Sequence, residues 1–163
     1  MEDILYSYPA QYYDLTRLSA LSLRPMEIGR LCVDQPTSDP FLLLVAFKYI
    51  RSIVSSRQID FIFGCTSFAG ADNPQHLAAL NSLEKNQIAS SNFPIKRKSS
   101  KVLDIKKNFI GAQESKNANK FLPPLLRFYL SLGGRVSDHA VIDRDLDTLH
   151  VFTYVDLKEK KNH

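Results

Sequence analysis

The sequence predicts an α+β domain in which a mixed sheet is flanked by helices. Two stretches carry that prediction. Met26 to Cys65 reads strand, helix, strand, and Pro123 to Val155 reads helix, glycine stop, strands. Composition agrees with a packed fold. Of 163 residues, 44% are hydrophobic and 23% charged, which is ordinary globular usage and excludes wholesale disorder. At 18.5 kDa the chain has room for one domain and can bury a sizeable core without disulfides. Residues 1–157 are read as that single domain, with a basic insert at 94–120 and a solvated tail at 158–163.

The elements follow in order. Residues 1–24 mix tyrosines and leucines without a clean period. Met26 to Val33 reads as a strand interrupted by Gly29, the mark of a bulge or a close backbone approach. Asp39-Pro40 reads as an N-cap with proline at the first helical position. A helix from Pro40 to about Ser56 follows, with Leu43, Phe47, Ile50 and Val54 on one face. Ile59 to Cys65 suits a buried strand. Asn73-Pro74 repeats the cap signal and opens a helix to about Leu83. Residues 86–120, rich in Ser, Asn and Lys, read as a loop. Pro123-Pro124 starts a short helix that Gly133-Gly134 ends. Arg135 to Asp138 and Leu149 to Val155 read as strands.

The net charge of +4 is unevenly placed. Pro94 to Lys120 carries +6, leaving −2 for the remainder. Only Phe109 interrupts those cations, whereas a nucleic-acid face usually sets aromatic platforms among them, so no nucleic-acid partner is expected. No apolar run approaches the roughly 20 residues that span a bilayer. Glu2 and Asp3 stand where a signal peptide is basic. Cys32 and Cys65 have neither zinc nor disulfide spacing, so reduced thiols and a cytoplasmic location are expected.

Two clusters could carry chemistry. In Glu27-Ile28-Gly29-Arg30, a bulge at Gly29 would bring Glu27 and Arg30 to one side. The pair is either a surface ion pair or a carboxylate held at a cleft, able to take a proton or bind an amine. In Asp138 to Thr148, five charged side chains and His139 crowd what reads as a loop before the last strand. No EF-hand is completed there, and no metal is expected. Cys65 reads as a small buried residue.

Four motifs, in order, carry a resemblance. Glu27-Ile28-Gly29-Arg30-Leu31-Cys32-Val33 is similar to the ELGR-x-CV strand of bacterial L-ornithine N(alpha)-acyltransferases. Phe63-Gly64-Cys65-Thr66-Ser67-Phe68 resembles their FGCASF strand end. Leu122 to Gly133 resembles their LPPL…YL-x-LG helix, and Val141 to Thr148 their AIDxDF-x-T turn. The motifs span about Tyr13 to Leu157 and resemble the C-terminal portion of these hemolysin-like, GNAT-related enzymes of ornithine lipid synthesis. The resemblance implies a GNAT-like acyltransferase fold whose first strands are missing here. It implies transfer of a 3-hydroxyacyl group from acyl carrier protein to the α-amino group of ornithine or a similar amino acid, with no further cofactor.

On that resemblance Glu27 is the base that deprotonates the ammonium, and Arg30 orients it or grips the ornithine carboxylate. A backbone N–H within Leu31, Cys32 and Val33 receives the oxyanion. Asp143 and Asp145 bind the cationic side chain of the acceptor or brace the site. The family's loop before the long helix carries an arginine and a glycine; Ser38 and Pro40 occupy that stretch here. The basic segment is expected to attract acyl carrier protein, which is acidic as a class, or else to be a solvated insert. Peripheral membrane contact and a missing N-terminal half on another chain are further expected partners. The short chain by itself is expected to be inactive. The competing readings are a non-catalytic remnant or binding module of the fold, an acyl-homoserine lactone synthase-like acyltransferase, and a basic interaction protein using residues 94–120.

Overall fold

A computed structural model describes residues 4–29, 31, 40–83, 87–90, 92–105 and 118–158. Two short 3₁₀ turns, Ile4–Tyr6 and Pro9–Gln11, lead into β1 (Tyr13–Asp14), α1 (Thr16–Ser19) and β2 (Pro25–Glu27). Then come α2 (Pro40–Ser56), β3 (Phe61–Ala69), α3 (Gln75–Asn81), β4 (Lys96–Arg97) and β5 (Val102–Asp104). The chain closes with α4 (Pro124–Ser131), β6 (Arg135–Asp143) and β7 (Thr148–Asp156).

The main sheet has the order β2-β3-β7-β6-β5. β2 runs parallel to β3, and every other pairing is antiparallel. A small second sheet joins β1 to β4. The fold is therefore α+β with a mixed sheet, as expected. The parallel pair follows from the α2 crossover, since a helix must carry the chain back before a parallel strand can form.

Side-chain alternation divides the core. On one sheet face Phe61, Phe63, Phe152, Tyr154 and Val141 meet Ile4, Ala10, Tyr13, Leu15 and Leu18 from the N-terminal segment. On the other face Phe68, Ala140, Leu149 and Val151 meet Ala79, Leu80 and Leu126 of α3 and α4. Phe47 of α2 stacks on Phe128 of α4. So Tyr12, Tyr13, Leu15, Leu18 and Leu23, aperiodic in sequence, help to cover one sheet face, beside Ala89, Phe93 and Ile95.

Several expectations hold and several are corrected. α2 runs over the expected Pro40–Ser56; its cap residue Asp39 lies outside the described residues. Asn73 accepts the Gln75 amide at 3.0 Å before α3 begins. α4 stops where the Gly133 and Gly134 amides return to Leu130 and Tyr129, with Gly133 at φ +70. Of the strand expected from Met26 to Val33, the described part spans Pro25–Glu27, followed by one bond from Ile28 N to Phe63 O at 2.8 Å; Ile28, Gly29 and Leu31 are not strand, and Arg30, Cys32 and Val33 lie outside the described residues. The strand expected from Ile59 to Cys65 instead reaches Ala69, because Thr66 is buried against the hydroxyl of Thr153 at 3.0 Å. Residues 86–120 are not simply loop: β4 and β5 lie there, and Ile88, Ala89 and Ile105 are core. Nor is Asp138 to Thr148 a loop. β6 runs through Asp143 with Val141 and Ala140 fully buried, leaving only 144–147 as turn.

Candidate active site

Glu27 ends β2 opposite Phe63, and Asp143 ends β6 opposite Thr148. Following the register across β3 and β7 puts both carboxylates on the same sheet face, the one covered by the N-terminal segment. Beyond Ile28, no described residue continues the β2 side of β3, so Gly64 to Ala69 pair only with β7. At Gly64 an added Cβ would stand 2.2 Å from the Ile28 carbonyl oxygen. Only glycine allows that approach. The close backbone approach expected at Gly29 thus belongs to Gly64. Gly29 has a different use: a Cβ there would meet Glu27 Oε1 at 3.3 Å, so its bare backbone leaves room for the folded-back carboxylate.

Glu27 is exposed, and its Oε1 accepts the backbone N–H of Tyr8 at 3.2 Å. Asp143 is buried, 4% exposed, and fully engaged. Its Oδ2 accepts the hydroxyls of Tyr12 at 3.0 Å and Tyr8 at 3.4 Å. Its Oδ1 accepts the amides of Asp145 at 3.0 Å and Leu146 at 3.2 Å. Burial alone would raise the Asp143 carboxyl, but the Leu146 amide, the Tyr12 hydroxyl, the Asp145 amide and nearby His150 outweigh it and hold it below the ordinary carboxylate range. A carboxylate with four donors on it is a brace, not an open subsite for a cation. Asp145 itself is exposed.

Around this pair lie groups held neutral. Burial pushes the Cys65 thiol far up, and the charges of Glu27 and Asp143 push it further. Its thiolate is therefore scarce at neutral pH, which argues against a nucleophilic cysteine. Burial likewise raises the Tyr129 phenol, with Cys65 and Glu27 adding to it. His150 is fully buried beneath Tyr12, ring centroids 4.8 Å apart, with Nδ1 3.3 Å from the Tyr13 hydroxyl. Burial brings its imidazole down to about 4. His139, expected as a loop histidine, is a buried strand residue whose Nδ1 lies 2.7 Å from Asp138 Oδ1.

Of the sequence-predicted site residues, Glu27 and Asp143 are brought to one face. Leu31 is 37% exposed, and Arg30, Cys32 and Val33 lie outside the described residues. Sequence reasoning missed Tyr8, Tyr12 and His150. The signal was partial: Tyr8 and Tyr12 stand four apart, one helical turn, but nothing local points to Asp143. Among the described residues no group of three His, Cys, Asp or Glu could hold a metal.

The chain is 31% identical to the L-ornithine N(alpha)-acyltransferase of Brucella abortus over 93% of its length, covering 54% of that protein. It is 28% identical to the L-ornithine N(alpha)-acyltransferase of Rhodobacter capsulatus over 88% of its length, covering 55% of that protein. The protein of the same name from Rhizobium meliloti is 31% identical over 78% of the chain and 43% of its own length. The chain is a relative of the L-ornithine N(alpha)-acyltransferases. It spans about half the length of the curated relatives it matches. No protein-family model matches it, and no solved structure matches it significantly. This relationship to L-ornithine N(alpha)-acyltransferases bears out the resemblance carried by the Glu27–Val33, Phe63–Phe68, Leu122–Gly133 and Val141–Thr148 motifs. No helix among the described residues is long and apolar enough to cross a membrane.

Proposed function

We propose that the chain carries the amine-activating part of a cytoplasmic, GNAT-like N-acyltransferase. The reaction moves a 3-hydroxyacyl group from an acyl carrier protein thioester to the α-amino group of ornithine. The single observation that carries this reading is the 31% identity to an L-ornithine N(alpha)-acyltransferase over 93% of the chain. The mixed sheet, in which parallel β2 and β3 place Glu27 on the same face as Asp143, supports it.

The chemistry is simple to balance. The acceptor enters as an ammonium and has no lone pair. Glu27, exposed and accepting the Tyr8 amide, takes the proton directly or through water. The free amine attacks the thioester carbonyl carbon, and a C–N bond forms. The oxyanion is held by a backbone N–H within Leu31 to Val33. The C–S bond then breaks, and the proton shed by the newly bonded nitrogen goes to the leaving thiolate, so that the carrier departs as its thiol and the acceptor as its amide. Arg30 pairs with Glu27 or with the ornithine carboxylate. Asp143 braces the site, and exposed Asp145 is left to meet the cationic side chain of the acceptor.

The test is a thiol-release assay with 3-hydroxyacyl carrier protein and ornithine. The chain is assayed by itself and joined to the unmatched portion of the Brucella abortus relative. Ornithine-dependent release, lowered about 100-fold by Glu27→Gln, is expected. Near-normal turnover of that variant removes Glu27 from the mechanism. Absence of ornithine-dependent release in both forms sinks the reading.

A further inference from the structure

One residue touches both carboxylates. Tyr8 gives its backbone N–H to Glu27 Oε1 at 3.2 Å and its hydroxyl to Asp143 Oδ2 at 3.4 Å. Tyr12, one turn on, gives its hydroxyl to the same Asp143 oxygen at 3.0 Å. The two rings meet edge to face, centroids 5.4 Å apart. The turn Pro9–Gln11 joins them, with the Tyr12 amide returned to the Pro9 carbonyl at 3.0 Å. Asp143 is in turn fixed by the amides of Asp145 and Leu146. Hydrogen bonds thus run from the 144–147 turn through Asp143 to the two phenols, and the covalent frame of Tyr8 carries the anchor on to the amide under Glu27.

Glu27 needs such a hold. It stands at the last position of an edge strand of three residues, and its side chain is exposed. A glutamate has three side-chain torsions, so an exposed one samples many rotamers. A general base works only within hydrogen-bond reach of the proton it takes. The amide of Tyr8 selects one carboxylate position, and bare Gly29 leaves space for it.

We propose that Tyr8, anchored with Tyr12 on Asp143, is a positioning residue that clamps the Glu27 carboxylate. This rests on the reading of Glu27 as the base. Tyr8 does not touch the reacting atoms; its ring and hydroxyl serve to fix its own amide. The N-terminal segment is then a working arm of the site and not only a cover for the sheet.

The test separates the clamp from the function. A carboxylate that accepts an amide hydrogen bond shifts the amide proton resonance, and the shift disappears when the carboxyl takes a proton. In a pH titration of the isotopically labelled 163-residue chain, the amide of residue 8 should therefore follow the ionisation of a carboxyl. Glu27→Ala should abolish that titration. Tyr8→Phe together with Tyr12→Phe should remove most of it, although no acid has been changed. Asp143→Asn, which keeps the shape of the brace, should weaken it as well. An unchanged residue 8 titration in the folded double phenylalanine variant overturns the clamp. In the turnover assay the same double variant should lower kcat about 10-fold or more with KM little changed, as expected for a misplaced base. Normal kcat beside a Glu27→Gln variant that is inactive overturns the positioning role. Normal turnover of Glu27→Gln overturns the assignment of the base, while the residue 8 titration still decides the clamp.

Discussion

The hydroxyl of Tyr12 donates to Oδ2 of Asp143 across 3.0 Å, although 131 positions separate the two residues. That bond ties the N-terminal segment to the far end of the sheet. It acts with the Tyr8 hydroxyl on the same oxygen, the Tyr8 amide on Glu27 and the Lys98 ammonium on the Ala10 carbonyl. Together these bonds give the segment a polar anchor of defined direction. The anchor also explains why a buried carboxylate is tolerated: each oxygen has two donors.

Asp143 should therefore make stability depend on acid. Burial raises its carboxyl, but the amides of Leu146 and Asp145 and the Tyr12 hydroxyl more than offset that, so its folded value is depressed. A depressed value stabilises the fold above the ordinary carboxyl range and loses that contribution as pH falls through the folded value. The urea midpoint should fall below about pH 4. Asp143→Asn should flatten that fall and cost about 1.5–3 kcal/mol near neutrality. Denaturation curves of wild type and variant that stay parallel with pH contradict the assignment.

His150 acts in a higher window. Burial holds its imidazole down at about 4, with Asp143 opposing and His139 adding slightly. In the unfolded chain the proton binds near pH 6.5. The unfolded state thus binds more protons between those values, so stability is lost as pH falls from about 6.5 towards 4. The loss is on the order of 3 kcal/mol at its limit. Imidazole nitrogen resonances should show His150 still neutral at pH 5.5. A protonated ring there in the folded chain refutes it.

How much of this was legible follows from distance along the chain. α2 and the stop of α4 were readable because their signals are local: a proline at the start, a double glycine at the end. β2 was over-extended because Ile28 and Leu31 look like strand residues, yet among the described residues the strand ends at Glu27. β6 was cut short because Asp138, His139 and Asp143 look like loop residues. They are strand residues: His139 is buried with Nδ1 on its neighbour Asp138, and Asp143 is buried because Tyr8 and Tyr12, far away in sequence, donate to it. Glu27 came from motif likeness. Tyr8 and Tyr12 did not, since their role depends on a residue on the last hairpin.

The basic stretch divides in the structure. Lys98 donates to the Ala10 carbonyl at 2.7 Å, and Arg97 pairs with Asp104. Lys96 and Lys101 are exposed on the same stretch. If this face receives an acidic carrier protein, Lys96→Ser with Lys101→Ser should weaken binding several-fold at low salt and little at high salt. Lys98→Ser should instead loosen the N-terminal segment, costing about 0.5–1.5 kcal/mol. Titration of the carrier at two ionic strengths decides the first, and urea denaturation the second. Binding of the double variant equal to wild type at low salt would leave this face without the proposed role.

Two glycines separate fold from chemistry. An alanine Cβ at Gly64 would lie 2.2 Å from the backbone oxygen of Ile28, which cannot swing aside. β2 would have to leave β3 and give up the Ile28 to Phe63 bond. Gly64→Ala should destabilise by about 1–3 kcal/mol or more, as overpacking does. At Gly29 the nearest obstacle is a side-chain oxygen, Glu27 Oε1 at 3.3 Å, and its φ is not in the left-handed region. Gly29→Ala should leave stability equal or raise it by about 0.4–1 kcal/mol, since alanine restricts the unfolded chain. Yet its methyl pushes the carboxylate off the Tyr8 amide, so turnover should fall about 10-fold. Urea midpoints and turnover measured on both variants give opposite patterns if the reading is right. A Gly29→Ala chain that is as active as wild type means that the position of the Glu27 carboxylate does not matter to the reaction.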